Sequence, residues 1–145
     1  MMTVTDYKKI VLPVDGSDAS YRAFREAVAI AKRNDAELIV LHVLDDFVRF
    51  ANPDASIKLY EETRVDALEI LDSYQKEAEE LGFTHVTLEV IKGDARYGIV
   101  EFADTNKADL VVVGATGKGA IERAMMGSVS EYVVRNVKAH VLVVK

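Results

Sequence analysis

The chain contains no cysteine among its 145 residues, so it can form no disulfide and offers no thiolate to a metal ion. It also lacks an uninterrupted apolar segment of about 20 residues, the length that a membrane-spanning helix needs. The first ten residues mix charged and apolar side chains, without the apolar block of a secretory signal. We therefore expect a cytoplasmic protein with no membrane segment.

Positive charge is scarce as well. Lys and Arg number 18 against 24 Asp and Glu, which gives a formal net charge of −6. A general nucleic-acid binder needs a positive field to displace counterions, so we do not expect nucleic acid as a partner. A small anion is still an admissible ligand, because backbone N–H groups can hold it without any net positive charge.

Apolar, β-branched segments alternate with segments of helical periodicity throughout the chain. Continuous apolar runs are typical of strands covered on both faces, whereas the third segment alternates in polarity and indicates an edge strand. The length fits one domain, residues 1–145. The predicted strands are 9–14, 38–44, 84–91, 109–114 and 140–144.

Four helices are predicted between these strands. The first is capped by Ser17 or Asp18, the second spans 56–81 with Gly82 just past its end, the third runs from the N-cap Asp94 to 106, and the fourth runs from 127 or 128 to 137. Their predicted apolar faces are Ala23, Ala27, Ile30 and Ala31; Leu59, Leu68, Leu71, Tyr74, Ala78 and Leu81; Ile99, Val100 and Ala103; and Val129, Tyr132 and Val133.

This order of elements predicts an α/β fold with a single doubly wound domain and a five-stranded parallel sheet. Ligands of such sheets bind outside the carboxyl ends of the strands, where the strand order reverses. The loops after the first and the fourth strands are therefore the candidate binding loops.

A glycine-rich segment follows the fourth strand. Gly114 and Gly117 are separated by two residues, Gly117 and Gly127 by nine, and Ser128 follows directly. Glycines let the backbone approach a phosphate closely, and successive N–H groups can converge on the anion. The fourth helix then begins at Gly127 or Ser128, where free N–H groups and the positive end of the helix dipole favour negative charge.

Side chains of the same segment can complete a phosphate site. The hydroxyls of Ser128 and Ser130 can each donate to a phosphate oxygen, and Lys118 can screen the outer phosphates. The alternative is that the glycines form ordinary turns and Ser128 is an ordinary N-cap. The pattern is not a Walker loop, since Lys118 is followed by Gly119 rather than Ser or Thr.

Few other residues carry chemistry. Asp15 ends the first strand, where its carboxylate can accept from ribose hydroxyls or an adenine amine, or can serve as an acid before a helix N-terminus. Both roles stay open. His42, His85 and His140 are isolated from one another in sequence and are interpreted as structural. We predict no catalytic residue and no metal site built by the protein.

At this point the chain resembles the ATP-binding branch of the universal stress protein family. That branch is marked by Gly, two residues, Gly, nine residues, Gly, then Ser or Thr, which Gly114, Gly117, Gly127 and Ser128 match. Segments 13–17, 41–43, 108–114 and the closing strand are similar to the family too, so the resemblance covers essentially the whole chain.

The resemblance implies an adenine nucleotide alpha hydrolase-like sheet with strand order 3-2-1-4-5. It also implies a homodimer through the strand 140–144 and a role as a nucleotide-dependent regulator of stress responses. ATP is the implied cofactor, with Mg²⁺ or Mn²⁺ as an optional companion. The expected nucleotide-binding residues are Pro13, Asp15, Val43 and Gly114 around adenine and ribose, and Gly117, Lys118, Gly127, Ser128, Val129 and Ser130 around the phosphates.

Enzymatic alternatives use the same site. A slow ATPase or phosphotransferase would need a general base and an arginine, and Arg123 is the only nearby candidate. An ATP pyrophosphatase-like enzyme of related architecture would need a Ser-Gly-Gly signature after the first strand, which Asp15-Gly16-Ser17 does not supply. We expect at most weak ATP hydrolysis.

Overall fold

The computed structural model describes residues 6–44, 53–115 and 126–145. Five strands and four helices alternate along the chain. The strands are β1 (Lys9–Pro13), β2 (Glu37–Leu44), β3 (Val86–Lys92), β4 (Leu110–Gly114) and β5 (His140–Val144). The helices are α1 (Asp18–Asn34), α2 (Pro53–Glu80), α3 (Ala95–Thr105) and α4 (Ser128–Asn136).

The strands form one parallel sheet in the order β3-β2-β1-β4-β5. The central strand is β1, in which Ile10 pairs with Leu38 of β2 on one side and with Leu110 of β4 on the other. The predicted α/β class and the strand order 3-2-1-4-5 are therefore confirmed. Because the chain leaves β1 towards β2 and later returns to β4, the order reverses between β1 and β4, and a crevice is expected there.

Helices cover both faces of the sheet with separate apolar clusters. On one face, Phe24 of α1 and Leu71 of α2 pack over Ile10 and Leu12. On the other face, α3 and α4 pack over the intervening residues of the same strands, such as Val11. This alternation along β1 is the period of two that a strand buried on both faces must show.

Local capping fixes the beginnings of α1 and α3. Ser17 is the N-cap of α1, and its Oγ accepts a hydrogen bond of 3.2 Å from the amide of Ser20. Asp94 caps α3 as predicted, with Oδ1 accepting from the amide of Arg96 at 2.9 Å. Such caps satisfy N–H groups that the helix itself cannot pair. The predicted apolar stripe of α1 is buried, namely Ala23, Ala27, Ile30 and Ala31.

The second helix differs from its prediction. It begins at Pro53 rather than at residue 56, because proline is well suited to the first helical position. Leu68 and Leu81 were predicted to face the core, yet 41% and 42% of their surfaces are exposed. The buried residues of α2 form one line along the helix, namely Ala67, Leu71, Tyr74 and Ala78. Leu68 lies about 100° around the helix from Ala67 and is therefore off this line, and Leu81 follows the last helical residue.

The remaining differences are small and concern burial. Tyr74, Leu71 and Ala78 of α2 are buried as predicted, and so are Ile99 and Ala103 of α3 and Val133 of α4. The edge position of β3 is confirmed, and all its residues are at least partly exposed. Others predicted to face the core are only half-buried: Val100, Val129 and Tyr132. The side chain of Leu59 lies outside the described residues. No helix in the described ranges is long and apolar enough to cross a membrane.

Candidate functional site

The two candidate binding loops meet at the carboxyl edge of the sheet, where β1 and β4 lie side by side. Gly114 ends β4 against the first turn of α1. A Cβ atom added at Gly114 would lie 2.9 Å from the Cβ of Ala19 and 3.0 Å from its backbone C and O. Side-chain atoms do not approach backbone so closely, so only glycine lets the end of β4 reach α1 in this way. The first motif glycine thus has a packing reason that is independent of any ligand.

Hydrogen bonds join the two ends of the glycine-rich loop. The carbonyl oxygen of Ala115 accepts from the amide of Gly127 at 2.9 Å, and the amide of Ala115 donates to Val144 of β5 at 2.8 Å. The hydroxyl of Ser130 donates to the carbonyl oxygen of Gly114 at 2.6 Å. We call these residues the loop stem: Gly114, Ala115, Gly127 and Ser130. It anchors the loop to β4, β5 and α4.

The middle of the loop includes two residues that were predicted to bind phosphate. Gly117 and Lys118 both lie outside the described residues. Their roles stay predictions.

The N-terminus of α4 differs from those of α1 and α3. Its N-cap is Gly127, and within the described residues no side chain caps the helix. Ser128 is the first helical residue and not the cap, which rules out the interpretation of Ser128 as an ordinary N-cap. First-turn N–H groups without a side-chain cap favour an anion.

Charge near this helix end is partly balanced. Glu131 is an acid in the first turn of α4, but Arg135 lies one turn along the helix, with Nη2 3.1 Å and Nε 3.2 Å from Glu131 Oε1. The ion pair offsets a negative charge that would otherwise repel a phosphate.

Of the residues predicted to donate to phosphate at this end, Ser130 has another partner. Its side chain is buried, and its single hydroxyl proton is used on Gly114. Direct donation to a phosphate would require breaking that bond. Ser128 is exposed and Val129 is half-buried, so both can be reached from solvent in the first turn.

The carboxylate of Asp15 is held by its own loop. Oδ1 accepts from the amide of Ser17 at 2.9 Å and from the hydroxyl of Ser20 at 2.7 Å. The amide of Asp15 in turn donates to Ser20 Oγ at 3.1 Å. Sequence reasoning missed Ser20. The available signal was a polar residue three positions before Ala23, on the apolar stripe of α1.

Pro13 and Val43 lie at the side of the candidate site that is formed by the ends of β1 and β2. Pro13 is the last residue of β1, pairs with Leu41 and is half-buried. Val43 is half-buried beneath α3, where a Cβ added at Gly98 would lie 3.8 Å from it. The structure therefore brings Asp15, Pro13 and Gly114 to one edge of the sheet, with Val43 near the end of β2.

Two of the three histidines contact other residues of the fold, and His85 is exposed to solvent. His42 Nδ1 lies 2.9 Å from the carbonyl oxygen of Val14, and since a carbonyl only accepts, this nitrogen carries the proton. His42 is half-buried, His140 contacts the Tyr7 hydroxyl at 3.2 Å, and His85 is exposed. No group of three or more His, Asp or Glu side chains in the described part of the chain could hold a metal ion.

Comparison with known proteins decides the family. The model of the universal stress protein family matches residues 6–145. The chain belongs to the universal stress protein family. A universal stress protein of Methanocaldococcus jannaschii is 43% identical over 141 residues, which cover 96% of this chain and 82% of that protein. The resemblance to the universal stress protein family is thus confirmed.

Solved structures of the family share the whole fold. Universal stress protein UspA from Lactobacillus plantarum is 31% identical and superposes with a TM-score of 0.88, covering 97% of this chain and 99% of that one. A universal stress protein crystallised in complex with cAMP is 33% identical, with a TM-score of 0.71 and coverage of 97% and 98%. That relative binds an adenine nucleotide.

Proposed function

We propose that this universal stress protein binds ATP at the carboxyl edge of its sheet, between β1 and β4. The observation that carries the proposal is the N-terminus of α4, which opens at Gly127 without a side-chain cap in the described residues and is anchored beside Gly114. Amides at such a helix end favour phosphate. The related structure with cAMP supports an adenine nucleotide as the ligand class.

The adenosine half of the ligand belongs at the ends of β1 and β2. Asp15 would accept from a ribose hydroxyl or from the adenine amine, and Val43 and Pro13 would supply apolar contact. Gly114 stands where the ribose would pass towards the phosphates. Their half-buried or edge positions support this assignment.

The phosphates belong to the loop and the first turn of α4. Gly117 and Lys118 would supply an amide and one positive charge, and Ser128, Val129 and Ser130 would supply the amides of the first helical turn. Gly127, whose own amide donates to Ala115, would give the phosphates room because it has no side chain. Donors placed along both the loop and the first turn of α4 would suit a chain of several phosphates, so ATP is the proposed ligand. A Mg²⁺ or Mn²⁺ ion would bind mainly through the phosphates, as such ions commonly do in nucleotide sites.

The proposed biological role is that of a cytoplasmic regulator of stress responses whose activity depends on bound nucleotide. Nucleotide binding beside the loop stem would change the surface next to α4 and β5. Loop and strand are directly linked, because Ala115 donates to Val144.

Dimerisation through β5 completes the proposal. This strand is at the edge of the sheet, and Val141 to Val144 are only half-buried. An apolar edge strand of this kind favours pairing with another strand, here its copy in a second subunit.

The test begins with protein purified without added nucleotide, denatured, and analysed for released nucleotides by mass spectrometry. Calorimetric titration with ATP, AMP and cAMP follows for the wild type and for Gly127→Val. Gly127 has φ −62° and ψ 153°, which any residue can adopt, so the substitution blocks the site without straining the backbone.

Expected is submillimolar binding of ATP that Gly127→Val abolishes. Asn136→Ala, at the opposite end of the same helix, serves as the control and should bind as the wild type does. Wild-type protein that carries no nucleotide and does not bind ATP at millimolar concentration would overturn the proposal. So would unchanged affinity in Gly127→Val.

A further inference from the structure

Ser20 is one of two buried polar residues in the described part of the chain, with 6% of its surface exposed. Its hydroxyl donates to Asp15 Oδ1 at 2.7 Å and accepts from the amide of Asp15 at 3.1 Å. One side chain thus fixes both the backbone and the carboxylate of Asp15. Contact with Ser17 Oγ is longer, at 3.4 Å.

This hydroxyl does not serve the helix itself. The N-cap of α1 is Ser17, and Ser20 contributes only its amide to that cap. Alanine occupies neighbouring positions of the same buried stripe, for example Ala23 and Ala27. Burying a hydroxyl there is unfavourable unless it is hydrogen-bonded, so its function lies in holding Asp15.

Tyr74 of α2 lies against the same turn of α1. Its ring stacks on Tyr21, with centroids 4.7 Å apart, and packs at 5.1 Å on Phe24. Its hydroxyl is fully buried and has no hydrogen-bond partner among the described residues. An unpaired buried hydroxyl is destabilising, and phenylalanine would fill the same space without that cost.

The polar groups that act on this hydroxyl include the carboxylate of Asp15 and the hydroxyl of Ser20. Burial raises the pKa of Tyr74 most, the neighbouring Tyr21 and then the charges of Asp15 and Glu77 raise it further, and the Ser20 hydroxyl lowers it. The phenol therefore keeps its proton at physiological pH and remains a donor. The Ser20 oxygen accepts from the amide of Asp15 at 3.1 Å and from Ser17 Oγ at 3.4 Å, so a bond from Tyr74 would take the place of the longer of these two.

We propose that Ser20 and Tyr74 are positioning residues for Asp15, which they hold in the orientation that receives the nucleotide. Ser20 holds the carboxylate both with and without bound nucleotide. Tyr74 donates to Ser20 when the nucleotide is bound, so that the site is linked to α2. This inference rests on the proposed nucleotide function, and it adds residues that do not touch the ligand themselves.

The first test is a double-mutant cycle on ATP affinity, measured by calorimetry with wild type, Asp15→Ala, Ser20→Ala and the double variant. Ser20→Ala alone should weaken ATP binding about tenfold, because a hydrogen bond to a charged group is lost. In the Asp15→Ala background the same change should have almost no effect. Ser17→Ala, which loses the helix cap but keeps the amide bond to Asp15, should bind ATP as the wild type does.

The second test uses Tyr74→Phe, which keeps the packing of the ring. Without nucleotide its resistance to urea should equal or exceed that of the wild type, since an unpaired hydroxyl is removed. Its ATP affinity should nevertheless fall about fivefold, the effect of one neutral hydrogen bond. Affinity then falls although stability does not, which a merely structural role would not produce.

The outcomes separate this inference from the proposed function. If the wild type fails to bind ATP, the proposed function itself is wrong. If the wild type binds but Ser20→Ala loses affinity by the same factor with and without Asp15, or not at all, the role of Ser20 is overturned. Unchanged affinity in Tyr74→Phe overturns the role of Tyr74.

Discussion

Ser130 Oγ donates a 2.6 Å hydrogen bond to the carbonyl oxygen of Gly114, which ties the first turn of α4 to the last residue of β4. The bond between Gly127 and Ala115 lies beside it and closes the loop at its base. The hydrogen bonds of the loop stem stabilise the fold, so their effect on unfolding can be measured separately from nucleotide binding.

Ser130→Ala tests the stem. The substitution removes the donor to Gly114, so the free energy of unfolding should fall by about 1–2 kcal/mol in the absence of nucleotide. Urea denaturation followed by circular dichroism measures it. Ser128→Ala is the matched control, since Ser128 is exposed and lies two residues before Ser130 in the same helix. Its effect on the free energy of unfolding should stay within about 0.5 kcal/mol. Equal effects of the two substitutions would contradict a stem role for Ser130.

Gly114→Ala tests the close approach of β4 to α1. The new Cβ would be 3.0 Å or less from backbone and Cβ atoms of Ala19, which cannot move aside individually. Such overpacking should lower the free energy of unfolding by about 1–3 kcal/mol. Thermal and urea unfolding measure the change.

The matched control for that substitution is Gly98→Ala. There the nearest atom is Ile91 Cδ1 at 3.2 Å, the flexible end of a side chain, and alanine is the better helix former. We expect a change within about 1 kcal/mol of zero. A loss at Gly98 as large as that at Gly114 would show that volume alone, and not the backbone contact with Ala19, sets the cost.

Much of the fold could be predicted from local patterns. Continuous apolar runs locate β2 and β4. The cap Asp94 follows from its position before an apolar periodic segment, and the same reasoning narrows the cap of α1 to Ser17 or Asp18. The buried face of α2 could not be predicted in the same way. Periodicity shows that a helix is amphipathic, but which of its apolar residues the sheet covers is decided by tertiary packing. Leu68 lies beside the buried line that runs through Ala67 and Leu71, and is exposed.

The glycine spacing was enough to predict where the candidate site lies. The hydrogen bonds within it could not be predicted from the sequence. Nothing in the sequence tells that the Ser130 proton is used on Gly114, because the acceptor is a backbone carbonyl 16 residues away. The position of Ser20 on the apolar stripe of α1 indicates that it is buried, but not that its hydroxyl bonds to Asp15 across the turn after β1. Positioning residues of this kind depend on geometry more than on any motif.

Acid sensitivity should reveal the ion pair at the start of α3. The side-chain hydrogen bond from Arg96 lowers the pKa of Asp94 below its usual value. A carboxyl whose pKa is lowered by folding stabilises the protein above the unfolded pKa of about 3.9, and this contribution is lost as pH falls through the lower folded value. Stability from Asp94 is therefore present at pH 7 and disappears under strongly acidic conditions.

Asp94→Asn isolates that charge, since asparagine is an equally good N-cap. The wild type should be more stable than the variant at neutral pH, and the difference should shrink as the pH drops below about 4. Urea unfolding of both proteins across this range measures it. Curves that stay parallel down to the lowest pH would rule out a charge effect and leave only capping.

The outer edge of β5 can be probed one amide at a time. The amide of His140 donates to Asp109 and the carbonyl of Val144 accepts from Ala115, so residues 140, 142 and 144 turn their backbone groups towards β4. Because these directions alternate along a strand, the N–H of Val143 points away from the sheet. A proline at 143 therefore removes a donor from the outer edge without breaking a bond to β4.

Val143→Pro should consequently give a folded monomer if the dimer forms through this edge. Val143→Thr keeps the N–H and a β-branched side chain, and should remain dimeric. Size-exclusion chromatography with light scattering gives the mass of each, and circular dichroism checks that the sheet persists. A folded Val143→Pro that is still dimeric would move the interface elsewhere on the molecule. A monomeric wild type at the same concentration would remove the basis for a dimer altogether, and nucleotide-driven changes would then have to act through the surface of a single chain.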